Sequence, residues 1–186
     1  MKIAIVYHSG YGHTGEQAKA VARGAQSVAD TTVQLIAVGD GEIPWAELEA
    51  ADAIIFGSPT YMGSVSAPFK KFMDDSSKAW YARKWLNKIA AGFTNSASQS
   101  GDKLNTLQTL AIFAAQHGMI WVGLDLMPGN NNSKGSVEDL NRLGSFLGAM
   151  AQSNADQGPD AGPIASDLKT AEHLGKRVAL QTARFK

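Results

Sequence analysis

The strongest constraint on the fold is a rhythm in the chain. Short apolar runs alternate with stretches whose apolar residues recur every three or four positions. Residues 3–7 read as a strand, and from Thr14 onward Ala18, Val21, Ala22, Ala25 and Val28 fall at helical spacing. Residues 32–38, rich in β-branched side chains, form a second strand, and residues 46–51 a short helix. Residues 53–58, AIIFGS, are apolar without alternation, as expected of a strand covered on both faces, and Pro59 is expected to end it. Ser66 can cap the next helix, with Pro68 in its first turn and Phe69, Phe72 and Met73 on one side. Residues 89–94 are the fourth strand. A helix beginning at Ser100 or Asp102 then carries Leu104, Leu107, Ala111 and Ala114. Residues 119–124 are the fifth strand, and the last helix starts near Ser166 with Leu168, Ala171, Leu174 and Val178 facing inward. Five β-then-α units predict an α/β fold: one doubly wound, five-stranded parallel sheet with helices on both faces, spanning residues 1–186 as a single domain.

One region exceeds five minimal units. Residues 125–160 carry PGNNNSKGS near their start and NADQGPDAGP near their end. Excursions of this length are uncommon unless functional or partly structured. The spacing predicts an interrupted fifth strand that resumes near residues 148–153. It also predicts a short helix over 137–147, where Val137, Leu140, Leu143 and Leu147 share a face.

In a doubly wound sheet, ligands sit beyond the C-terminal ends of the strands. Three loops leave those ends with unusual content. The first, HSGYGHTG at residues 8–15, leads into a helix N-terminus, where free N–H groups and the helix dipole favour a phosphate. Gly10, Gly12 and Gly15 match the G-x-G-x-x-G dinucleotide fingerprint, but Tyr7, His8 and Ser9 separate the apolar strand from the first glycine. That wider turn, with Ser9 and Thr14 hydroxyls in it, favours a single terminal phosphate over a pyrophosphate. A dinucleotide reading stays open through Asp40, which follows the second strand as a ribose-binding acid does. Glu16 stands where a Walker A loop needs lysine. The second loop, SPTYMGSVSAP at residues 58–68, combines the Thr60 hydroxyl with the flat and polarisable surfaces of Tyr61 and Met62, which suits one edge of an aromatic ring system. The third, TNSASQSG at residues 94–101, suits the polar edge of a heterocycle.

Composition removes several alternatives. The absence of cysteine excludes disulfides, thiol nucleophiles and cysteine-ligated clusters. The four histidines show no zinc spacing, so no metal is expected. A net charge of zero gives no electrostatic reason to expect nucleic acid. No apolar run approaches the roughly 18 residues of a membrane span, and no basic segment followed by an apolar stretch opens the chain, so a cytoplasmic location is the expectation.

With these loops in place the sequence resembles the flavodoxin-like FMN proteins. Among them it is most similar to the NAD(P)H:quinone reductases once named tryptophan-repressor-binding proteins. The resemblance rests on YHSGYGHT, GSPTYMGSVSAPFKKFMD, Ala79–Trp80, KIAAGFTNS, QHGM at residues 116–119 and the tail GAMAQS…KTAEHLGKRVA. It implies that Ser9, Tyr11, Gly12, His13 and Thr14 hold the FMN phosphate, and that Pro59, Thr60, Tyr61, Met62 and Gly63 flank the isoalloxazine. It further implies that Thr94, Asn95, Ser96, Ala97 and Ser98 contact the pyrimidine side and ribityl chain. Trp80 and His117 are then expected on the open face, where nicotinamide and a quinone take turns. A homo-oligomer, dimer or tetramer, is implied as well. Two departures lie beside the ring: the family commonly has Arg and Phe where Tyr61 and Met62 stand, and its third loop is richer in glycine.

The activity so implied is a ping-pong transfer of hydride from NADPH or NADH through FMN to a quinone-like acceptor, with His117 as hydrogen-bond partner or proton donor. His117 also reads as a plain helix-end residue before Gly118, and His13 as a helix start. Trp80, Tyr81 and Trp85 read equally as a roof over the flavin or as packing at a subunit interface. The alternative is a flavodoxin-type electron carrier that binds FMN without oxidising NAD(P)H; a third reading is a flavin-free contact domain.

Overall fold

The computed structural model describes residues 1–39 and 41–185, so Asp40 lies outside the described residues. The elements follow the expected βα order: β1 (Lys2–Tyr7), α1 (His13–Gln26), β2 (Thr32–Ala37), α2 (Trp45–Ala50), β3 (Ala53–Tyr61), β4 (Ser64–Val65), α3 (Ala67–Asp75), α4 (Ser77–Tyr81), β5 (Ile89–Ser96), α5 (Lys103–Gln116), β6 (Ile120–Trp121), β7 (Ala149–Gln152) and α6 (Ala165–Arg184). The main sheet runs β2-β1-β3-β5-β6 with every neighbour parallel.

The fifth strand is split. β6 pairs with Ile89 and Ala90, while β7 pairs in parallel with Phe93–Ser96 further along the same edge of β5. The strand therefore resumes where the sequence suggests, although its first half is shorter than residues 119–124. Val122 N–H still donates to Ala90 O, but Leu124 N–H donates to Phe146 O, so the returning chain has already displaced it from β5.

Central strands β1, β3 and β5 are buried on both sides because the two faces carry separate cores. Ala18, Val21, Ala25, Leu174 and Val178 of α1 and α6 cover Ile3, Ile5, Ile55 and Phe93 on one face. On the other, Phe69, Phe72, Trp85, Leu110 and Phe113 pack over Val6, Ile54 and Phe56. Burying such side chains stabilises by about 1.5–3 kcal/mol each before chain entropy is set against it. Trp85 is fully buried, within 6.4 Å of Trp45, Phe56, Phe72 and Phe113, so this tryptophan belongs to the core and neither roofs a ligand nor reaches a surface.

Four expectations are corrected. Pro59 does not end β3: the strand continues to Tyr61, with Pro59 opposite Asn95 and Thr60 opposite Val65 in a hairpin with β4. Proline removes one N–H donor but tolerates extended backbone, and here the loss falls near the end of the ladder. Residues 137–147 form turns rather than a helix. Asn141 (φ 50°) and Gly144 (φ 67°) both take left-handed backbone, which a right-handed helix cannot accommodate. The buried Asn141 amide instead ties the segment down, donating to Leu126 O and Ser145 O while its oxygen accepts from Ser145 N–H. On α5 the inner face is Lys103, Thr106, Leu107, Leu110, Phe113 and Ala114, and Leu104 is exposed. Finally, Ser66 precedes α3 but its hydroxyl makes no cap; its N–H donates to Ser58 Oγ at 3.0 Å.

Candidate functional site

The C-terminal ends of β1, β3, β5 and β7 open into one cavity of about 660 Å³, within the range of small-molecule sites. Tyr11, His13 and Thr14 line its α1 end, residues 59–63 one side, and Asn95, Ser96, Ala97 and Ser98 the opposite side. These three loops are the ones singled out by the sequence.

At the α1 end, the first intrahelical bond runs from Glu16 N–H to Gly12 O at 3.1 Å. Of the amides before it, Gly15 N–H is taken within the loop, and those of His13 and Thr14 are left for an external acceptor. Ser9 acts on the loop itself: its Oγ accepts from Gly15 N–H at 2.9 Å, folding the turn into a cup, and the residue does not line the cavity. Gly12 sits at φ 92°, and a Cβ there would lie 2.7 Å from Pro159 Cγ, so a later loop closes over it. His13 fastens that closure through Nδ1, 2.9 Å from Gly162 O. Among the described residues no lysine or arginine lines the cavity, so an anion at this end is met by amides, hydroxyls and the α1 dipole.

The second loop is braced from beneath. Thr60 Oγ1 lies 2.8 Å from both Thr94 Oγ1 and Thr106 Oγ1, a buried hydroxyl chain linking β3, β5 and α5. Thr94 thus holds the frame and, like Ser9 and Gly12, does not line the cavity. Asn105 Nδ2 donates to Gly63 O at 2.7 Å and fixes the turn in which Met62 takes φ 48° and stands fully exposed. Tyr61 is partly exposed and meets Tyr11 edge-on at 6.2 Å. Partial burial raises the Tyr61 phenol pKa, keeping it neutral. Flat and polarisable surface therefore rims one side while amide and hydroxyl groups face it from the other.

The loop after β7 completes the cavity with Ser153, Asn154, Ala155, Gln157 and Gly158, residues that the motif reading missed. The signal was available, because a resumed fifth strand must also end on this edge. Ser153 Oγ donates to Asn95 Oδ1 at 3.0 Å, and Gln152 Nε2 donates to Ala97 O at 2.9 Å, joining the third and fourth loops. Behind them the buried Arg142–Asp167 pair, at 2.7 Å, anchors the excursion to α6, and Asp167 Oδ2 also accepts from Gln152 N–H. Lys103, too, went unnoticed. Its buried Nζ reaches back to Ser96 Oγ (2.7 Å), Ser98 O (2.6 Å) and Gln99 O (2.9 Å).

Trp80 and His117 are placed elsewhere. They line a second groove with Met73, Ser76, Ile112 and Gln116, sharing no lining residue with the cavity. The fold of one chain thus brings the three loops together but not these two side chains. His117 is buried, stacked 4.2 Å from Trp85, with Nε2 3.0 Å from Ser76 Oγ. Burial lowers its pKa from 6.5 to about 4, so the imidazole is neutral at pH 7. It can exchange hydrogen bonds in that state but is not a ready source of a proton. Trp80 is half exposed.

A family model described as NADPH-dependent FMN reductase matches residues 44–132. The sequence is 46% identical to Flavodoxin FldP of Pseudomonas aeruginosa, covering 96% of this chain and 95% of that protein. It is 33% identical to an NAD(P)H dehydrogenase (quinone) of Archaeoglobus fulgidus, over 96% and 95% of the two chains. A crystal structure of a flavodoxin, WrbA-like protein from Agrobacterium tumefaciens superposes with a TM-score of 0.77 at 44% identity, covering 100% of this chain and 99% of that one. The chain belongs to this flavodoxin-like NAD(P)H:quinone reductase family. Among the described residues of this family member no helix is long and apolar enough to cross a membrane, and no cluster of potential ligands could hold a metal. The fold resemblance extends to an archaeal flavodoxin at a TM-score of 0.67 and 23% identity.

Proposed function

We propose that the cavity binds FMN and that the protein is an NAD(P)H:quinone oxidoreductase. The observation that carries this reading is the polarity gradient across one cavity. An anion cup with no lysine or arginine among the described residues stands at the α1 N-terminus, a flat apolar rim at Tyr61 and Met62, and a polar wall at Asn95–Ser98. A phosphate, an aromatic ring and the ring's polar edge meet their complements in that order. The donor set fits the group: the leading amides of α1 and Thr14 would hold the phosphate, Tyr61 and Met62 would cover the ring, and Asn95 to Ser98 would pair with its heteroatoms. When bound, FMN supplies two-electron exchange between a nicotinamide and a quinone.

The chain's own part is to bind, orient and shield. The hydroxyl chain of Thr60, Thr94 and Thr106 fixes the spacing of the ring walls, and Pro159 packs against Gly12 at the turn that leads into α1. The Tyr61–Met62 rim is left open enough for a planar reactant to stack. In one chain that face lacks Trp80 and His117, so a site including them requires a neighbouring copy.

The name of the 46% identical relative favours a second reading, a flavodoxin-type electron carrier. FMN binding followed by fluorescence quenching tests the cavity, and steady-state turnover with NADPH or NADH and a benzoquinone separates the readings. Rapid turnover that saturates in both substrates supports the reductase; tight FMN binding without turnover supports the carrier.

A further inference from the structure

Lys103 is an expensive residue where it stands. It is wholly buried, and its ammonium donates to Ser96 Oγ, Ser98 O and Gln99 O, all uncharged. It opens α5, so it also sits at the positive end of that helix, the unfavourable end for a cation. The charged groups that act on it are Asp167 and Arg142, and these already neutralise one another in a buried bidentate pair. Burial lowers its pKa only to about 8, so it remains mostly cationic at pH 7. A buried cation without a direct anion is costly unless something offsets it. The loop it grips supplies Ser96, Ala97 and Ser98 to the cavity wall. Its charge therefore stands directly behind that wall.

We propose that Lys103 is a positioning residue that holds the Ser96–Gln99 loop in place and supplies the positive field that favours negative charge on the ring edge of a bound flavin. The inference rests on the FMN reading above. When NAD(P)H becomes NAD(P)⁺, two electrons and one proton enter the ring, which gains one negative charge. A fixed cation behind the wall that faces the ring's polar edge binds that anionic form more tightly than the neutral oxidised ring. Among the described residues no lysine or arginine lines the cavity itself, and the acid that does, Asp102, is exposed and screened. The wild-type site is thus expected to bind reduced FMN more tightly than oxidised FMN.

The test uses the full chain loaded with FMN and three variants: Lys103→Met and Lys103→Gln, which remove the charge, and Ser96→Ala, which removes one acceptor and keeps it. Dissociation constants for oxidised FMN are measured by fluorescence quenching, and the two-electron potential by spectroelectrochemistry at pH 7. The wild-type potential is expected above that of free FMN. Both Lys103 variants should shift the ratio of reduced to oxidised affinity on the order of tenfold towards oxidised FMN, a fall of about 30 mV. Ser96→Ala should weaken both forms together and leave the potential in place. A wild-type potential below that of free FMN overturns the proposal even if neither Lys103 variant folds. Equal potentials in wild type and the charge-removing variants overturn it as well and leave Lys103 a loop brace. Failure of the wild type to bind FMN removes the underlying reading, a separate outcome.

Discussion

His117 offers an energetic test that needs no cofactor. Its ring lies against Trp85 and Phe113, and Ser76 Oγ at 3.0 Å is the hydrogen-bond partner of Nε2, while Nδ1 is buried without one among the described residues. Protonation in that setting must charge a group surrounded by aromatic faces, which is why its pKa falls from 6.5 to about 4. The folded pKa is below the unfolded one, so the unfolded chain takes up the proton first as pH falls. Stability contributed by the neutral ring is therefore fully present above pH 6.5 and is lost as pH falls through 4. One unit corresponds to about 1.4 kcal/mol, so a shift from 6.5 to about 4 amounts to at most about 3 kcal/mol near pH 4.

The perturbation is His117→Phe, which preserves a flat ring against Trp85 and removes the titration. Ser76 Oγ keeps Met73 O at 2.6 Å, so the hydroxyl is not orphaned. Urea denaturation of both proteins is followed from pH 7.5 to pH 4 under identical salt. Every other ionisable group is common to both proteins, so only the difference between the two profiles matters. Wild type should lose about 2–3 kcal/mol more than His117→Phe across that window. Parallel profiles would refute the reasoning, because they would mean that the imidazole charges in the folded protein as easily as in water.

Other expectations concern helix contact, loop support and the anion cup. At Gly175 an added Cβ would lie 1.9 Å from Val21 O across the α1–α6 contact, so Gly175→Ala must force the helices apart. The overpacking cost, about 1–3 kcal/mol, should outweigh the roughly 1 kcal/mol gain in helix propensity, lowering the thermal midpoint; an unchanged or higher midpoint contradicts this. Asp167→Asn leaves the buried Arg142 guanidinium without its anion and should cost about 3–5 kcal/mol by chemical denaturation. The same change should speed amide exchange over residues 152–158, and unaltered exchange there would detach the loop from this pair. Ser9→Ala combined with Thr14→Val should weaken FMN binding at least about tenfold, the loss of more than one hydrogen bond. Unaltered affinity would place the phosphate elsewhere.

The fold was largely legible because buried parallel strands are written as uninterrupted apolar runs and their covering helices as three-and-four spacing. The AIIFGS run and the Ala18–Val21–Ala25 face are of this kind. Reading failed where side-chain hydrogen bonding overrides periodicity. Val137, Leu140, Leu143 and Leu147 have helical spacing, yet Asn141 satisfies its neighbours' backbone from a left-handed conformation and the helix never forms. On α5, Leu104 is apolar and exposed while the adjacent Lys103 is buried, because the loop ahead of the helix offers three oxygens to an ammonium. Nothing in a local pattern marks such a lysine. The candidate site was legible in its three loops because each follows an apolar run and opens on the same sheet edge. The fourth loop was hidden by the excursion that separates β7 from β6. Trp80 and His117 rested on resemblance alone, and a single chain places them in another groove.

The most direct test of the account is an anaerobic titration of the FMN-loaded protein with NADPH and then NADH, followed by the flavin absorbance. The account predicts rapid bleaching by at least one nicotinamide and full return of colour when a quinone is added without oxygen. FMN that binds tightly yet keeps its colour with both donors would contradict the reductase and make the protein an electron carrier.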